Sequence, residues 1–301
     1  MPGALIAAGV ALAACSPLKA LDALVPDEGY RVIADVAYGD HPRMRFDLYL
    51  PPEGQVTDAP PVLFFHGGSW RRGGREGYRF IGQAFASRGI AVAVVEYRVF
   101  PDITYPTFAR DAAVAAKRLL EIAPDHGLPD ARFIAMGHSA GAHTAAALML
   151  DTTFLEEVGV PVESRAGLIS ISGPVYIDPQ DYSTTRPVFA PVMDDPKRGR
   201  PALYASADDP PTYIIHGADD GTVYPINSEK LADALRAVDV PVVLSMRDGE
   251  GHVGPLVALS HPFEAQADPL ATRLANWMGG LAGQLAATTS DATAARTRSG
   301  S

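Results

Sequence analysis

Cysteine is nearly absent from this sequence of 301 residues, since it occurs once, at position 15. A single cysteine cannot form a disulfide within the chain, so the fold must be held together by other interactions. No stretch of eighteen consecutive apolar residues occurs either, which argues against a membrane-spanning helix. Basic residues are also few, because 25 Lys and Arg stand against 35 Asp and Glu and the formal net charge is −10. This acidic balance disfavours nucleic acid as a partner.

The one cysteine lies in the segment LAACSP, directly after the apolar run MPGALIAAGVA. An apolar run that ends in small residues before a cysteine resembles the signal and lipobox of bacterial lipoproteins. The resemblance implies that Cys15 is acylated and anchors the protein in the bacterial cell envelope, facing the periplasm. No Lys or Arg precedes the apolar run, so the usual basic start of such a signal is missing. A cytoplasmic protein is therefore the alternative.

Three regions are expected along the chain. Residues 1–29 are interpreted as the signal segment and a linker, residues 30–283 as one globular domain, and residues 284–301 as a disordered tail. The tail contains small and polar residues without apolar periodicity, so it cannot bury enough surface to order itself. The length of the middle region suits a single large α/β domain.

Short apolar segments alternate with helical patterns through most of the chain. The segments contain few polar residues, which is typical of strands covered on both faces. Their alternation with helices predicts the α/β class, with a mostly parallel central sheet and helices on both faces. Two earlier segments, YRVIADVAY and MRFDLYLPP, alternate apolar and polar residues and predict an antiparallel hairpin near the sheet edge. The six apolar segments are PVLFFHGG, IAVAVVEYR, ARFIAMGHS, AGLISISG, PTYIIHGADD and PVVLSMRDG.

The pentapeptide GHSAG stands between one of these apolar segments and an alanine-rich helical segment. This is the context of a nucleophile elbow, a sharp strand-to-helix turn that exposes a serine hydroxyl. Glycines at 137 and 141 avoid Cβ atoms that would clash with the backbone of such a turn. The first amide of the helix, that of Ala140, would stabilise an oxyanion beside the serine. The pattern predicts Ser139 as a nucleophile; a glycine-rich turn without chemistry is the alternative.

A serine nucleophile needs a general base and a carboxylate that orients the base. The segment HGADD places Asp219 and Asp220 at the end of one apolar strand, and RDGEGHVG places His252 at the end of the next. His261 also follows the aspartates, but it precedes a proline in a less regular segment. This favours His252 as the base. Spacing alone does not choose between the two aspartates.

The loop after the first buried segment, HGGSW, offers further backbone donors. Glycines at 67 and 68 let the main chain approach a substrate oxygen closely. The N–H of Gly68, with that of Gly67 or Ser69, would then join Ala140 in an oxyanion hole. A tight turn without a catalytic role is the alternative. Trp70, Arg71 and Arg72 follow this loop and are candidate walls of the acyl or alcohol pocket, with a solvated loop as the alternative. The turn-rich stretch 174–211 would lie over the carboxyl ends of the strands and is a second candidate wall. A long connection without a substrate role is the alternative there.

Taken together, HGG, GHSAG, HGADD and the GH that ends with His252 resemble the α/β-hydrolase serine esterases over residues 30–280. In that family the acid commonly stands four positions after the histidine of the HGxxD segment, which implies Asp220. The segment EYRVFP is similar to that of hormone-sensitive-lipase-like and formamidase-like esterases. The segment GHSAGAH is similar to that of kynurenine formamidase-like and prenylcysteine methylesterase-like members. The hormone-sensitive-lipase-like group has a third glycine and an acidic residue where this chain has Ser69 and His138, so the resemblance to that group is weaker.

The resemblance implies hydrolysis of small carboxylic esters by a Ser139, Asp220 and His252 triad through an acyl-enzyme, without a cofactor. Nor is a metal expected, because no carboxylate or cysteine pattern near His138 and His143 completes a site. An amidase or arylformamidase with the same triad is the alternative, with a small amide as substrate, and a peptidase is a more distant one. An inactive hydrolase fold used for binding is the alternative from another class.

Overall fold

The computed structural model describes residues 21–129, 132–261 and 269–282. Within these residues eight strands form one sheet, whose spatial order is β1-β2-β4-β3-β5-β6-β7-β8 when the strands are numbered along the chain. The pairs β1/β2 and β2/β4 are antiparallel, and the other neighbouring pairs are parallel. The strands are β1 (Arg31–Ala37), β2 (Arg45–Leu50), β3 (Val62–Phe65), β4 (Val92–Glu96), β5 (Phe133–His138), β6 (Arg165–Ile171), β7 (Thr212–Gly217) and β8 (Val242–Arg247).

The burial of each strand follows its composition. Every residue of β3, β4, β5, β6 and β7 is buried, as expected of apolar strands with helices on both faces. Strand β1 at the sheet edge is mostly exposed and pairs with β2 as the predicted antiparallel hairpin. The predicted α/β class with a mostly parallel sheet is confirmed.

Helices cover both faces of the sheet. One face buries apolar side chains of α2, α3 and α5, and the other buries those of α1, α6 and α7. All eleven residues of α3 are buried, so this helix runs through the middle of the first face. The helices are α1 (Arg79–Ala86), α2 (Thr107–Ile122), α3 (Ala140–Leu150), α4 (Thr153–Glu157), α5 (Ile226–Arg236), α6 (Gly254–Val257) and α7 (270–282).

The structure describes only part of the two ends of the chain, for which the sequence predicts a signal segment and a disordered tail. The lipobox with Cys15 and the tail 284–301 lie outside the described residues. Leu21 and Val25, near the start of the described chain, pack into the core on the face of α1. None of the helices in the described ranges is both long and apolar enough to cross a bilayer.

Candidate active site

Ser139 occupies a strained turn between β5 and α3. Its backbone angles are φ 55° and ψ −122°, in the positive-φ region that L-residues rarely adopt. A Cβ at Gly137 would lie 2.2 Å from the carbonyl oxygen of Gly141, and one at Gly141 would lie 2.0 Å from that of Phe65. The turn therefore excludes side chains at both glycines, as the GHSAG pattern predicts.

A chain of hydrogen bonds joins the three residues predicted for catalysis. Nε2 of His252 lies 2.9 Å from Oγ of Ser139, and Nδ1 lies 2.7 Å from Oδ2 of Asp220. A carboxylate only accepts hydrogen bonds, so Nδ1 carries the proton and Nε2 presents a lone pair to the serine hydroxyl. The imidazole is thus held in the tautomer that can take a proton from Ser139.

Asp220, not Asp219, is the aspartate that meets the imidazole. Asp220 is buried, whereas Asp219 is exposed. Oδ1 of Asp220 accepts hydrogen bonds from the N–H groups of Thr222 and Val223 at 2.8 and 2.9 Å. Burial raises the pKa of the Asp220 carboxyl, but the hydrogen bonds from His252 and these amides outweigh burial and leave the pKa below its usual value. Asp220 is therefore ionised at neutral pH.

A second imidazole, His216, also contacts Asp220, and the sequence patterns assigned it no role. Its Nε2 lies 2.8 Å from the carbonyl oxygen of Val223 and 3.2 Å from Oδ2 of Asp220. Its Nδ1 lies 2.6 Å from Oγ of Ser228. Because the Val223 carbonyl can only accept, Nε2 carries the proton and Nδ1 accepts from the Ser228 hydroxyl. Asp220 is thus held by side-chain donors on two sides.

The residue before the nucleophile contacts the base. Nε2 of His138 lies 3.0 Å from the backbone carbonyl oxygen of His252, and the two rings lie 4.9 Å apart. Burial, with the neighbouring His252, lowers the pKa of His138 to about 4, so its ring is neutral at pH 7. The strand end that carries Ser139 therefore also fixes the main chain of His252.

The backbone N–H groups of the HGGSW loop differ in whether they already donate to an acceptor within the protein. The N–H of Gly67 donates to the hydroxyl of Tyr78 at 3.3 Å, so it is already engaged. Within the described chain, no acceptor meets the N–H of Gly68 or of Ala140. A Cβ at Gly67 would lie 3.3 Å from Cβ of Ser139, which shows how closely this loop approaches the nucleophile. Gly68 has φ +127°, a conformation that favours glycine.

The remaining buried histidines near the site have structural contacts. His66 stacks on Tyr97 with ring centroids 4.4 Å apart, and its Nδ1 bonds the carbonyl oxygen of Gly67 at 2.8 Å. Nε2 of His143, in the first turns of α3, bonds the carbonyl oxygen of Gly199 at 2.9 Å. Burial lowers the pKa of both rings to about 4. Across the described residues, no group of three or more His, Cys, Asp or Glu side chains is arranged to hold a metal ion.

A small cavity lies beside His143 of α3, four residues after Ser139 in the chain. Trp70 and His143 line it together with residues of the turn-rich stretch 174–211. The members from that stretch are Pro174, Ile177, Pro179, Thr185, Phe189 and Gly199. Both wall segments named from the sequence, the Trp70 loop and 174–211, therefore meet at one cavity.

Two family profiles match the chain in overlapping segments. The BD-FAE profile matches residues 46–166, which include the HGG loop and Ser139. The profile of the prolyl oligopeptidase family matches residues 127–261, which include Ser139, Asp220 and His252. Among the curated relatives, a probable isoprenylcysteine α-carbonyl methylesterase of Oryza sativa subsp. japonica is 29% identical over 259 residues, which cover 80% of this chain and 62% of the relative.

The chain is therefore similar to α/β-hydrolase carboxylesterases, and each of the two profiles covers less than half of it. Among other relatives of this chain, a probable carboxylic ester hydrolase of Mycobacterium tuberculosis is 28% identical over 238 residues, which cover 69% of this chain and 53% of the relative. A kynurenine formamidase of Danio rerio is 29% identical over 144 residues, which cover 46% of each chain. The chain spans about six-tenths of the length of the plant methylesterases it matches.

Solved structures agree with the fold. Esterase B from Lactobacillus Rhamnosis superposes on this chain with a TM-score of 0.76 at 19% identity, covering 94% of this chain and 96% of the esterase. A truncated carbohydrate esterase from gut microbiota superposes with a TM-score of 0.73 at 16% identity, covering 86% and 99%. At these identities the likeness establishes the α/β-hydrolase fold.

Proposed function

We propose that this protein hydrolyses carboxylic esters of small substrates, with Ser139 as nucleophile, His252 as general base and Asp220 as the orienting acid. The observation that carries the proposal is the unbroken hydrogen-bond chain from Oγ of Ser139 through His252 to Oδ2 of Asp220. The relatives named as methylesterase and carboxylic ester hydrolase support an ester substrate.

The reaction follows from the tautomer of His252. Nε2 takes the hydroxyl proton while Oγ of Ser139 bonds to the ester carbonyl carbon, and the carbonyl π electrons move to its oxygen. The oxyanion collapses, the bond to the alcohol oxygen breaks, and that oxygen leaves with the proton from Nε2. Water then attacks the acyl-enzyme and gives its proton to Nε2; the proton returns to Oγ as the acid is released. Ionised Asp220 stabilises the imidazolium in each half-reaction.

The N–H groups of Gly68 and Ala140 would hold the oxyanion. Both lack an acceptor within the described chain, and Ala140 begins α3, whose N-terminal partial charge favours an anion. Gly67 is a third donor predicted from the sequence. Because its N–H already donates to the hydroxyl of Tyr78, we do not count it among the groups that hold the oxyanion.

Labelling with a fluorophosphonate probe tests the nucleophile directly. Wild-type protein is expected to react at Ser139 and to hydrolyse phenyl acetate, and Ser139→Ala is expected to do neither while keeping the same circular dichroism spectrum. Wild-type protein that neither reacts with the probe nor hydrolyses the ester would identify an inactive hydrolase fold used for binding.

Amide hydrolysis is the second candidate, supported by the similarity to a formamidase over 144 residues. The same triad cleaves an amide when His252 delivers its proton to the leaving nitrogen. Comparing kcat/KM for phenyl acetate, acetanilide and N-formylkynurenine distinguishes the two. We expect the ester to be preferred, and a higher kcat/KM for N-formylkynurenine would assign the protein to the amide hydrolases.

A lipid anchor at Cys15 is proposed on the sequence alone, from the apolar run and small residues before this cysteine. It would place the enzyme in the bacterial cell envelope, facing the periplasm, whereas an unmodified chain is consistent with the cytoplasm. Metabolic labelling with a palmitate analogue is expected to mark the wild-type protein and not Cys15→Ser. Absence of label from both the wild-type protein and Cys15→Ser would contradict the lipid anchor.

A further inference from the structure

His216 lies against the acid of the triad and takes no part in the proton transfers of the proposed reaction. It is the last residue but one of β7, and the loop that carries Asp220 begins directly after this strand. The side chains of His216 and Asp220 are both fully buried. Burying a polar ring costs free energy unless its nitrogens are hydrogen-bonded. The partners of the two ring nitrogens therefore indicate the role of His216.

Three groups bond the ring of His216, and together they determine where its proton lies. Nε2 lies 2.8 Å from the carbonyl oxygen of Val223 and 3.2 Å from Oδ2 of Asp220, and both oxygens can only accept. Burial lowers the pKa of His216, so the ring is neutral at pH 7 and carries one proton. That proton is on Nε2. Nδ1 accepts from the hydroxyl of Ser228 at 2.6 Å.

Both acceptors of the Nε2 proton lead to the carboxylate of Asp220. The direct contact is with Oδ2, the oxygen that also accepts from Nδ1 of His252 at 2.7 Å. The indirect contact runs through Val223, whose carbonyl oxygen accepts from His216 while its N–H donates to Oδ1 of Asp220 at 2.9 Å. His216 therefore constrains both carboxylate oxygens, and it does so independently of the base.

The ring of His216 is itself held by α5. Ser228 lies fully buried in the first turn of this helix and donates to Nδ1. A half-turn of the ring about its Cβ–Cγ bond would put Cδ2 in the place of Nδ1 and Cε1 in the place of Nε2. Every hydrogen bond of the ring would then be lost, so the contact between Nε2 and Asp220 is held in a single orientation.

The position of the Asp220 carboxylate matters most when His252 carries two protons. In each half-reaction Oδ2 of Asp220 stabilises the imidazolium. Loss of the carboxylate in a comparable triad costs about 10⁴-fold in kcat. A carboxylate that is present but displaced loses part of this effect, because the stabilisation depends on distance and on hydrogen-bond geometry.

We propose that His216 is a positioning residue of the esterase, whose Nε2–H holds Oδ2 of Asp220 against the base while the Ser228 hydroxyl fixes the ring. The inference rests on the proposed esterase function. The hydrogen-bond chain of the active site then has five members, which are Ser139, His252, Asp220, His216 and Ser228.

Two substitutions, each made in two backgrounds, test whether His216 acts through Asp220. His216→Gln can keep an N–H near the position of Nε2, whereas His216→Met has a similar length and no donor. Each is made in the wild-type chain and in Asp220→Ala, which lacks the carboxylate that His216 is proposed to hold. The measurement is kcat for phenyl acetate, on protein whose circular dichroism spectrum matches that of wild type.

Thr212→Val is the matched control for the loss of a buried hydrogen bond in β7. Thr212 is fully buried at the other end of the strand, and its hydroxyl donates to the carbonyl oxygen of Pro210 at 3.0 Å. We expect its kcat to stay within about twofold of wild type. Ser228→Ala is a milder second test, because it leaves the ring in place and removes only the donor to Nδ1.

We expect His216→Met to lower kcat about 10-fold to 100-fold and His216→Gln to lower it by less than about threefold. In the Asp220→Ala background both substitutions should change kcat by less than about twofold, because the carboxylate that His216 positions is gone. Ser228→Ala should lower kcat about threefold in the wild-type chain and leave it unchanged in Asp220→Ala.

Equal kcat for the Met and Gln variants, or the same fold loss with and without the Asp220 carboxylate, would overturn the positioning role and leave the esterase function standing. If His216→Met does not fold, an unchanged kcat in Ser228→Ala overturns the role, and a loss that disappears in Asp220→Ala supports it. Failure of the wild-type protein to hydrolyse phenyl acetate would overturn the proposed function and the positioning role with it.

Discussion

His138 donates from Nε2 to the backbone carbonyl oxygen of His252 at 3.0 Å, while Ser139 bonds the imidazole of the same histidine at 2.9 Å. Two adjacent residues at the end of β5 thus fix the main chain and the side chain of the base. We predict that His138→Leu lowers kcat about 10-fold to 100-fold, because small displacements of a catalytic group are costly. His138→Gln, which can keep a donor, should lose less, and steady-state kinetics on phenyl acetate measures both. Equal kcat for Leu and Gln variants would contradict a role for this bond.

Asp220→Asn should reduce kcat about 10⁴-fold. An asparagine can present an N–H toward Nδ1 of His252, which favours the tautomer that cannot accept the proton of Ser139. Asp219→Asn is the matched control, because Asp219 is exposed and it is Asp220 that contacts His252. Its kcat is expected to stay within about twofold of wild type. A large loss in the Asp219 variant instead would reverse the choice between the two aspartates.

Gly141→Ala should prevent the elbow from forming. Its Cβ would lie 2.0 Å from the carbonyl oxygen of Phe65, a main-chain atom inside the sheet that cannot move aside. We expect a loss of at least about 3 kcal/mol in the free energy of unfolding, measured by urea denaturation. Gly279→Ala is the control, since nothing lies within 4 Å of its Cβ position in α7. There the change should stabilise by about 0.5–1 kcal/mol.

Stability should fall as the pH drops from about 6.5 toward 4. Burial lowers the pKa of His66, His138 and His143 to about 4 in the folded state. In this window the unfolded chain binds protons at these three positions and the folded chain does not, so acid favours unfolding. Each ring contributes a slope of up to about 1.4 kcal/mol per pH unit.

Urea denaturation at pH 7 and pH 5 measures this slope. His143→Gln removes one ring, so its free energy of unfolding should vary less between the two pH values than that of wild type. An identical pH dependence in wild type and variant would show that the buried ring of His143 is protonated in the folded protein as well.

The sequence predicted the sheet and the elbow because each is encoded by neighbouring residues. The buried strands are nearly continuous apolar runs, and GHSAG fixes a turn that only small flanking residues tolerate. The sequence predicts His252 and the pair Asp219 and Asp220 as partners of Ser139 because strand ends in a parallel sheet meet at one edge. The choice of Asp220 comes from the family resemblance.

The contacts that the sequence did not predict depend on loop backbone directions. Three consecutive residues, Gly68, Ser69 and Trp70, have positive φ angles of 127°, 56° and 55°. Serine and tryptophan rarely adopt such angles, so the composition of this loop gives no sign of its path. That path determines that Gly67 donates to Tyr78 and that Trp70 turns back into the core. The role of His138 was equally hidden, since it bonds a main-chain carbonyl 114 residues away in sequence. The contact of His216 with the carbonyl oxygen of Val223 depends on the path of the loop between them.

The backbone of Ser139 belongs to two elements at once. Its N–H bonds the carbonyl oxygen of Ile171 at the end of β6, and its carbonyl oxygen accepts from Ala142 and His143 in α3. The reacting hydroxyl is therefore anchored to β6 and α3, two elements whose residues are all buried, whereas the stretch 174–211 lines the cavity beside His143. Substitutions in that stretch can therefore change which substrate is bound. The position of Oγ of Ser139 stays the same, because β5, β6 and α3 determine it.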